Sequence, residues 1–231
     1  SKVRLGQNVE LKSHVVIKGD TFLGDENTVF PFAVLGEIPQ DKKFNGESTS
    51  LKIGNRNQIR EHVTINVGTK GGGGITKVGN DGLFMAGCHI AHDAQVGDNV
   101  ILVNNASLAG HCIIEDNVIV GGLSGVHQFV RIGEGAIIGA VTMVTNDVIP
   151  YGLVQAPRGE LDGLNLVGLK RKGVPRADIM ALRAAFQTLS QGDGTFQDRA
   201  QKLTDDSDSE YVEKIVSFVL GHSDRSFLTP R

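Results

Sequence analysis

The stretch His89-Ile-Ala-His92-Asp93 sets a carboxylate beside one imidazole and places a second imidazole three residues earlier. Two more histidines follow, in Ala109-Gly110-His111 and Val126-His127-Gln128-Phe129, so four of the seven histidines fall between positions 89 and 127. An imidazole with a carboxylate partner can remove a proton from an attacking group, because the carboxylate orients the ring and stabilises its charged form. A nearby glycine N–H can support a developing oxyanion. The same residue types fit two other readings. Neutral imidazoles on a rigid scaffold suit Zn²⁺, with His89, His92 and a third histidine across a subunit boundary leaving one position open for water. Outward positions of a repetitive fold can also simply hold histidines in water. No nucleophile stands out: Ser107 and Ser124 lack a spacing that sets them against a base, and Cys88 and Cys112 read as packing residues. His14, His62 and His222 read as surface residues.

The elements that must position these groups show in one column. Every sixth residue from Val78 to Val144 is apolar (Val78, Phe84, Ile90, Val96, Leu102, Leu108, Ile114, Val120, Val126, Ile132, Ile138, Val144), and all but Phe84 are Val, Ile or Leu. Six is neither a helical period nor the alternation of a two-sided strand. It marks a hexapeptide repeat in which each unit is a short strand and a turn, and stacked units share a core. Gly after the column residue, as in Val96-Gly97, and Asp-Asn pairs, as in Asp98-Asn99, suit the corners of a prism. The expected fold is a parallel β-helix with three strands per coil, left-handed as the hexapeptide class is, followed by a small C-terminal α-helical domain.

That geometry turns spacing into distance. Residues 18 apart lie above one another at the strand spacing of about 4.8 Å. His92 then has Gly110 one coil above and Gln128 above that, Asp93 has His111 above it, and His89 lies near His92 on the same coil.

The column also runs through Leu5, Leu11, Ile17, Leu23, Val29 and Leu35, and resumes at Ile53, Ile59 and Ile65. Residues 1–150 are thus read as the β-helix, with loops inserted at about 37–52 and 66–77. The run Lys70-Gly71-Gly72-Gly73-Gly74 lacks the spacing of a phosphate-binding loop and reads as a flexible loop. Residues 151–231 are read as a basic connector at 163–173 and helices. Pro175 opens the first of these, with Ile179, Leu182, Phe186 and Leu189 on one face, and others lie near 195–203 and 208–220. The polar tail from His222 is expected on the surface.

Composition agrees. An aromatic share of 5% without Trp fits a thin lumen, and a net charge of −3 gives no reason to expect nucleic acid. Cys88 and Cys112 are 24 residues apart, one coil plus one face, and are expected as free thiols. No signal peptide, membrane-spanning run or polybasic tail is visible, which reads as a cytoplasmic protein without membrane insertion. The sequence starts with Ser1 inside the repeat, as a truncated chain would.

At His89-Ile-Ala-His92-Asp93, Ala109-Gly110-His111, Val126-His127-Gln128-Phe129 and Gly163-x-Asn165-x-x-Gly168-Leu-Lys-Arg171 the chain resembles the UDP-N-acetylglucosamine O-acyltransferases, enzymes of the first step of lipid A synthesis. The resemblance runs from the first residues to the C-terminal helices, although members of that family carry further hexapeptides before the point where this sequence starts. It implies a cytoplasmic homotrimer with active sites between neighbouring β-helices, acyl carrier protein as acyl donor and no cofactor or metal. His92 would be the general base on the sugar 3-hydroxyl, helped by Asp93, with Gly110 supplying the oxyanion N–H. Asp41, Lys43 and His89 match sugar-site positions, and His111 lies near the pantetheine and acyl end. His127, Gln128, Asn165 and Arg171 match nucleotide and pyrophosphate contacts. Lys170, Arg171, Lys172 and Arg176 form a basic cluster that could attract the acidic carrier protein or simply be a solvated face. Val167 stands where a family member has an acid beside the asparagine, which bears on one nucleotide contact. Ala140 replaces a glycine that admits a long acyl chain, which points to a shorter chain here. A UDP-diamino sugar, with an amine as attacking group, is the alternative acceptor. A γ-carbonic-anhydrase-type zinc enzyme and a non-catalytic scaffold are the readings outside this class.

Overall fold

The computed structural model describes residues 2–155, 160–204 and 208–230. Its β part is a three-sided prism. One face stacks Arg4–Leu5, Asp20–Leu23, Ser50–Ile53, Ile75–Val78, Gln95–Val96, Ile113–Ile114 and Arg131–Ile132. A second runs from Glu10–Leu11 through Leu83–Phe84 to Ile137–Ile138. The third stacks Val16–Ile17, Val34–Glu37, Thr64–Asn66, His89–Ile90, Ser107–Leu108, Gly125–Val126 and Met143–Val144. All rungs within these three stacks pair in parallel, and in the uninterrupted part the partners are 18 residues apart, as in His89↔Ser107 and Ile90↔Leu108.

The column residues fill the lumen. Leu23, Val29, Leu35, Phe84, Ile90, Leu102, Leu108 and Val120 are fully buried. In the first coil Leu5 and Leu11 are 46% and 41% exposed, because no described coil packs beneath them. Corners recur with the same period and hold residues in the left-handed region. At the corner that carries the histidines these are Asp93 (φ 61°), His111 (φ 61°) and Phe129 (φ 66°). Such backbone is uncommon outside glycine. Here it aims two N–H groups at the coil below, His111 to the His92 carbonyl at 3.0 Å and Phe129 to the Gly110 carbonyl at 3.1 Å.

The structure departs from the sequence reading in three places. The inserted loops are shorter than expected, residues 38–49 and 67–74, because Ser50–Ile53 and Ile75–Val78 pair along four residues rather than two. The sheet also continues past residue 150: Gly152–Gln155 pairs in parallel with Ile137–Ile138, and Glu160–Leu164 adds an antiparallel strand. Part of the connector is therefore strand, and the rest is helix α1 (Leu166–Arg171), followed by α2 (Arg176–Ser190), α3 (Phe196–Lys202) and α4 (Glu210–Leu220). Pro175 caps α2 at ψ 143° instead of occupying its first turn. The tail lies on the surface, as expected, where it docks as a strap. Phe227 packs between Phe196 and Phe218, and Asp147 exchanges backbone bonds with Ser226 and Leu228. An apolar residue in a polar segment needs cover, and α3 and α4 supply it for Phe227 through Phe196 and Phe218.

Candidate active site

The third face and its corner collect the predicted residues. His92 sits one residue before the corner, and its Nδ1 lies 2.8 Å from Asp93 Oδ2. Asp93 is 4% exposed, and Thr69 holds both oxygens of its carboxylate. Oδ1 accepts the Thr69 N–H at 2.8 Å, and Oδ2 accepts the Thr69 hydroxyl at 2.6 Å. The Asp93 N–H donates to Thr76 Oγ1 at 2.8 Å. An oxygen facing these donors takes a proton-bearing Nδ1, which leaves Nε2 of His92 as the free basic nitrogen.

Gly110 stands against the ring, as the coil spacing predicts. Its N–H meets no acceptor among the described residues. His111 crosses His92 edge-on, with ring centroids 5.0 Å apart and planes at 88°. Its other face stacks on Phe129 at 4.5 Å, and its Nδ1 lies 3.8 Å from Asp93 Oδ2. Burial is the main cause that lowers the His111 pKa, against the pull of Asp93. His89, bonded through Nδ1 to Thr64 Oγ1 at 2.7 Å, is lowered first by burial and then by His92. Both rings are thereby kept neutral near pH 7, as donors or acceptors rather than charges.

Two cavities meet at this corner. One, of about 480 Å³, is lined by His89, His92, Gly110 and His127, with an apolar end at Leu108, Gly125, Val126 and Met143. The other, of about 900 Å³, lies between the two inserted loops and is lined by Asp41, Lys43, Thr69, Lys70, His111 and Phe129. Asp41 also accepts the Lys43 N–H at 3.0 Å, which shapes the first loop.

The remaining predicted residues lie elsewhere. Gln128 is exposed and lines neither cavity. Asn165 is committed locally: Oδ1 caps α1 through the Gly168 N–H, and Nδ2 donates to the Gly135 carbonyl. Arg171 is exposed at the end of α1, and Ala140 is exposed in the turn before Met143–Val144. Within one chain neither joins the His92 cavity. Of the basic cluster, Lys170 and Arg176 line a separate cleft with Arg183 and Met180.

Several neighbours escaped the sequence reading. Ser107 lies in register above His89 and lines the same cavity, so the 18-residue rule did place it beside a base. The rule also stacks Gly125 and Met143 above Ser107. His14 and His62 are exposed but not isolated, since both stack on Phe32, at 5.0 and 5.1 Å. Arg225 reaches His127 from the tail, Nη2 to Nδ1 at 3.0 Å, and no periodicity could have shown it. Cys88 and Cys112 are buried free thiols, as expected.

Comparison with known proteins supplies the family. A family described as "Udp N-acetylglucosamine O-acyltransferase; Domain 2" matches residues 147–228. A Paracoccus denitrificans protein named acyl-[acyl-carrier-protein]–UDP-N-acetylglucosamine O-acyltransferase is 66% identical over 202 residues, covering 87% of this chain and 77% of its own. A protein of the same name from Rhizobium leguminosarum bv. trifolii is 45% identical, over 99% of this chain and 84% of its own. Among solved structures, LpxA from Acinetobacter baumannii superposes with a TM-score of 0.95 at 36% identity, over 98% of this chain and 88% of that one. The UDP-N-acetylglucosamine acyltransferase from Campylobacter jejuni gives 0.93 at 39% identity, over 100% and 89%. The fold is the left-handed β-helix with a small helical domain that the hexapeptide column predicts. From the paired His92 and Asp93 to the Asn165–Arg171 segment, the chain belongs to the UDP-N-acetylglucosamine O-acyltransferase family.

Proposed function

We propose that this protein transfers an acyl group, read as a 3-hydroxyacyl group, from acyl carrier protein to the 3-hydroxyl of UDP-N-acetylglucosamine, the first step of lipid A synthesis. His92 acts as general base. The 2.8 Å bond to Asp93, with Nε2 left free beside an open cavity, is the observation that carries the reading. Nε2 takes the hydroxyl proton as the sugar oxygen attacks the thioester carbon. The Gly110 N–H holds the resulting oxyanion. Collapse breaks the carbon–sulfur bond, and the imidazolium returns its proton to the departing thiolate. Asp41, Lys43 and His89 are proposed to hold the sugar, and His111 the pantetheine end. The acyl chain follows the apolar end of the cavity towards Met143, with Ala140 in the turn beside it limiting the length.

Asn165, Arg171 and Gln128 lie apart from the His92 cavity of their own chain. A homotrimer, in which a neighbour presents these three to a nucleotide that His127 also contacts, accounts for that separation. Lys170 and Arg176, with Arg183, are proposed to receive the acidic carrier protein. Among the described residues no helix is long and apolar enough to cross a membrane. The proposed location is the cytoplasm, where both substrates are dissolved.

The test is a mass-spectrometric transfer assay with UDP-N-acetylglucosamine and a panel of 3-hydroxyacyl carrier proteins. His92→Ala is expected to lose more than about a hundredfold in rate. Activity within a few-fold of wild type would remove His92 as the base. A UDP-diamino sugar run in parallel tests the amine acceptor. A zinc reading has its own observation, since the ligand atoms of His92, Asp93 and His111 lie within 4.8 Å of one another. Stoichiometric zinc retained after dialysis, with no acyl transfer, would favour it.

A further inference from the structure

The residue that does most to fix Asp93 is one the mechanism above does not use. Thr69 touches both carboxylate oxygens, with its N–H on Oδ1 and its hydroxyl on Oδ2, and is itself buried. The glycine-rich turn around it is shaped to allow this. A Cβ on Gly72 would lie 2.1 Å from the Asp93 carboxyl carbon, and one on Gly68 would lie 2.8 Å from Oδ1. Side chains at either position would occupy the carboxylate's space, so the glycines let the backbone close over it. Thr76, at the far end of the same turn, binds the Asp93 N–H. The turn is therefore a clamp closed on one carboxylate, and the flexible loop read from its glycines is an ordered part of the site.

We infer that Thr69 is a positioning residue of the transfer reaction, acting through Asp93 on His92. The inference rests on the reading of His92 as general base. A carboxylate on a single side-chain pivot can rotate, and either oxygen or neither can then face the ring. The Thr69 N–H holds Oδ1 and the Thr69 hydroxyl holds Oδ2, which keeps Oδ2 at 2.8 Å from His92 Nδ1; without the hydroxyl the carboxylate can rock about the one remaining bond. That holds the ring in the tautomer whose Nε2 is unprotonated and aimed at the substrate. Thr69, Lys70 and Gly71 also line the larger cavity beside Asp41 and Lys43.

Three variants test this: Thr69→Val, which keeps shape and backbone N–H but loses the hydroxyl, Thr69→Ser, which restores it, and His92→Ala. Thr69→Val is expected to lower kcat by about tenfold or more, the scale of a lost bond to a charged group, with KM within twofold. Thr69→Ser should recover most of the loss. ¹⁵N spectra of labelled histidine should show His92 with one tautomer in wild type and a mixture in Thr69→Val. A merely structural threonine would lower the melting temperature without moving the tautomer. Should Thr69→Val fold poorly, Gly72→Ala is the second probe, since its Cβ displaces the carboxylate directly, and the same kcat loss and tautomer mixing are expected. Wild-type kcat and one tautomer in the folded variant would overturn the inference while His92→Ala stays inactive. An active His92→Ala would instead overturn the general-base reading beneath it.

Discussion

Gly110→Ala tests the proposed general base, His92, by crowding it instead of deleting it. A Cβ at position 110 would lie 2.6 Å from Cε1, 2.7 Å from Nε2 and 3.1 Å from Nδ1 of His92. Non-bonded carbons rest at about 3.5–4.0 Å, so the ring must withdraw by roughly 1 Å. It cannot withdraw along its own plane towards Asp93, because Nδ1 already sits at 2.8 Å from Oδ2. It must swing, and the swing takes Nε2 off the line to the attacking oxygen. A misplacement of about 1 Å costs roughly a hundredfold in rate, or about 2.7 kcal/mol in the barrier. The backbone itself is indifferent, since Gly110 is not among the residues with left-handed φ. Steady-state transfer kinetics beside a thermal melt are the assay. The expected result is kcat/KM lower by about a hundredfold with a melting temperature within a few degrees of wild type. A folded variant that turns over within about threefold of wild type would show that the ring does not need this position, and the geometric argument for His92 would fall.

Other outcomes follow from burial and shape. Burial pushes the Cys88 thiol up to about 11 and the Cys112 thiol up to about 12, so an aromatic disulfide reagent at pH 8 should titrate no thiol in the native protein and both after unfolding. His89 and His111 have folded pKa values below the unfolded histidine value of about 6.5. The unfolded chain then takes up protons first as pH falls, so stability present above about pH 7 is lost progressively towards pH 5. Melting temperatures across that range should fall, and His89→Gln should flatten the slope; an unchanged slope would contradict the assigned burial. At the apolar end of the smaller cavity Met143 folds back over Gly125, where a Cβ would meet its Cε at 3.2 Å. Met143→Ala and Ala140→Gly should each raise kcat/KM for longer acyl donors, by up to about fourfold per added methylene at roughly 0.8 kcal/mol each; an unchanged chain-length profile would move the end of the acyl path elsewhere.

The parts of this molecule legible in the sequence are those ruled by one repeating distance. A lumen of fixed width accepts Val, Ile or Leu every six residues, and stacking then sets His92 against Gly110 and Asp93 beneath His111. The same arithmetic holds Ser107 over His89 and Phe129 against His111, although neither residue announces itself by type. Where an insertion interrupts the count, the method stops. Thr69 is 24 residues from Asp93 and lies in a loop whose glycines read as flexibility. In the structure those glycines permit close approach. Asn165 shows a second limit, since its motif gives no sign that the side chain also caps α1. Arg225 belongs to a tail that looks solvated until Phe227 is seen to need cover.

The separations of the contacts also set an order of assembly. Each rung of the uninterrupted prism pairs with strands 18 residues away, as His89 does with Ser107. Closing such short loops costs little chain entropy, so the coils can grow from neighbour to neighbour like a zipper. The His92–Asp93–Gly110 corner is complete once three successive coils and the turn at 67–74 are in place. The contacts that tie α4 and the tail back span far more chain: 80 residues from Lys214 to Glu134, 76 from Ser223 to Asp147 and 98 from Arg225 to His127. A chain emerging N-terminus first therefore builds the His92–Asp93–Gly110 corner before Arg225 can reach His127.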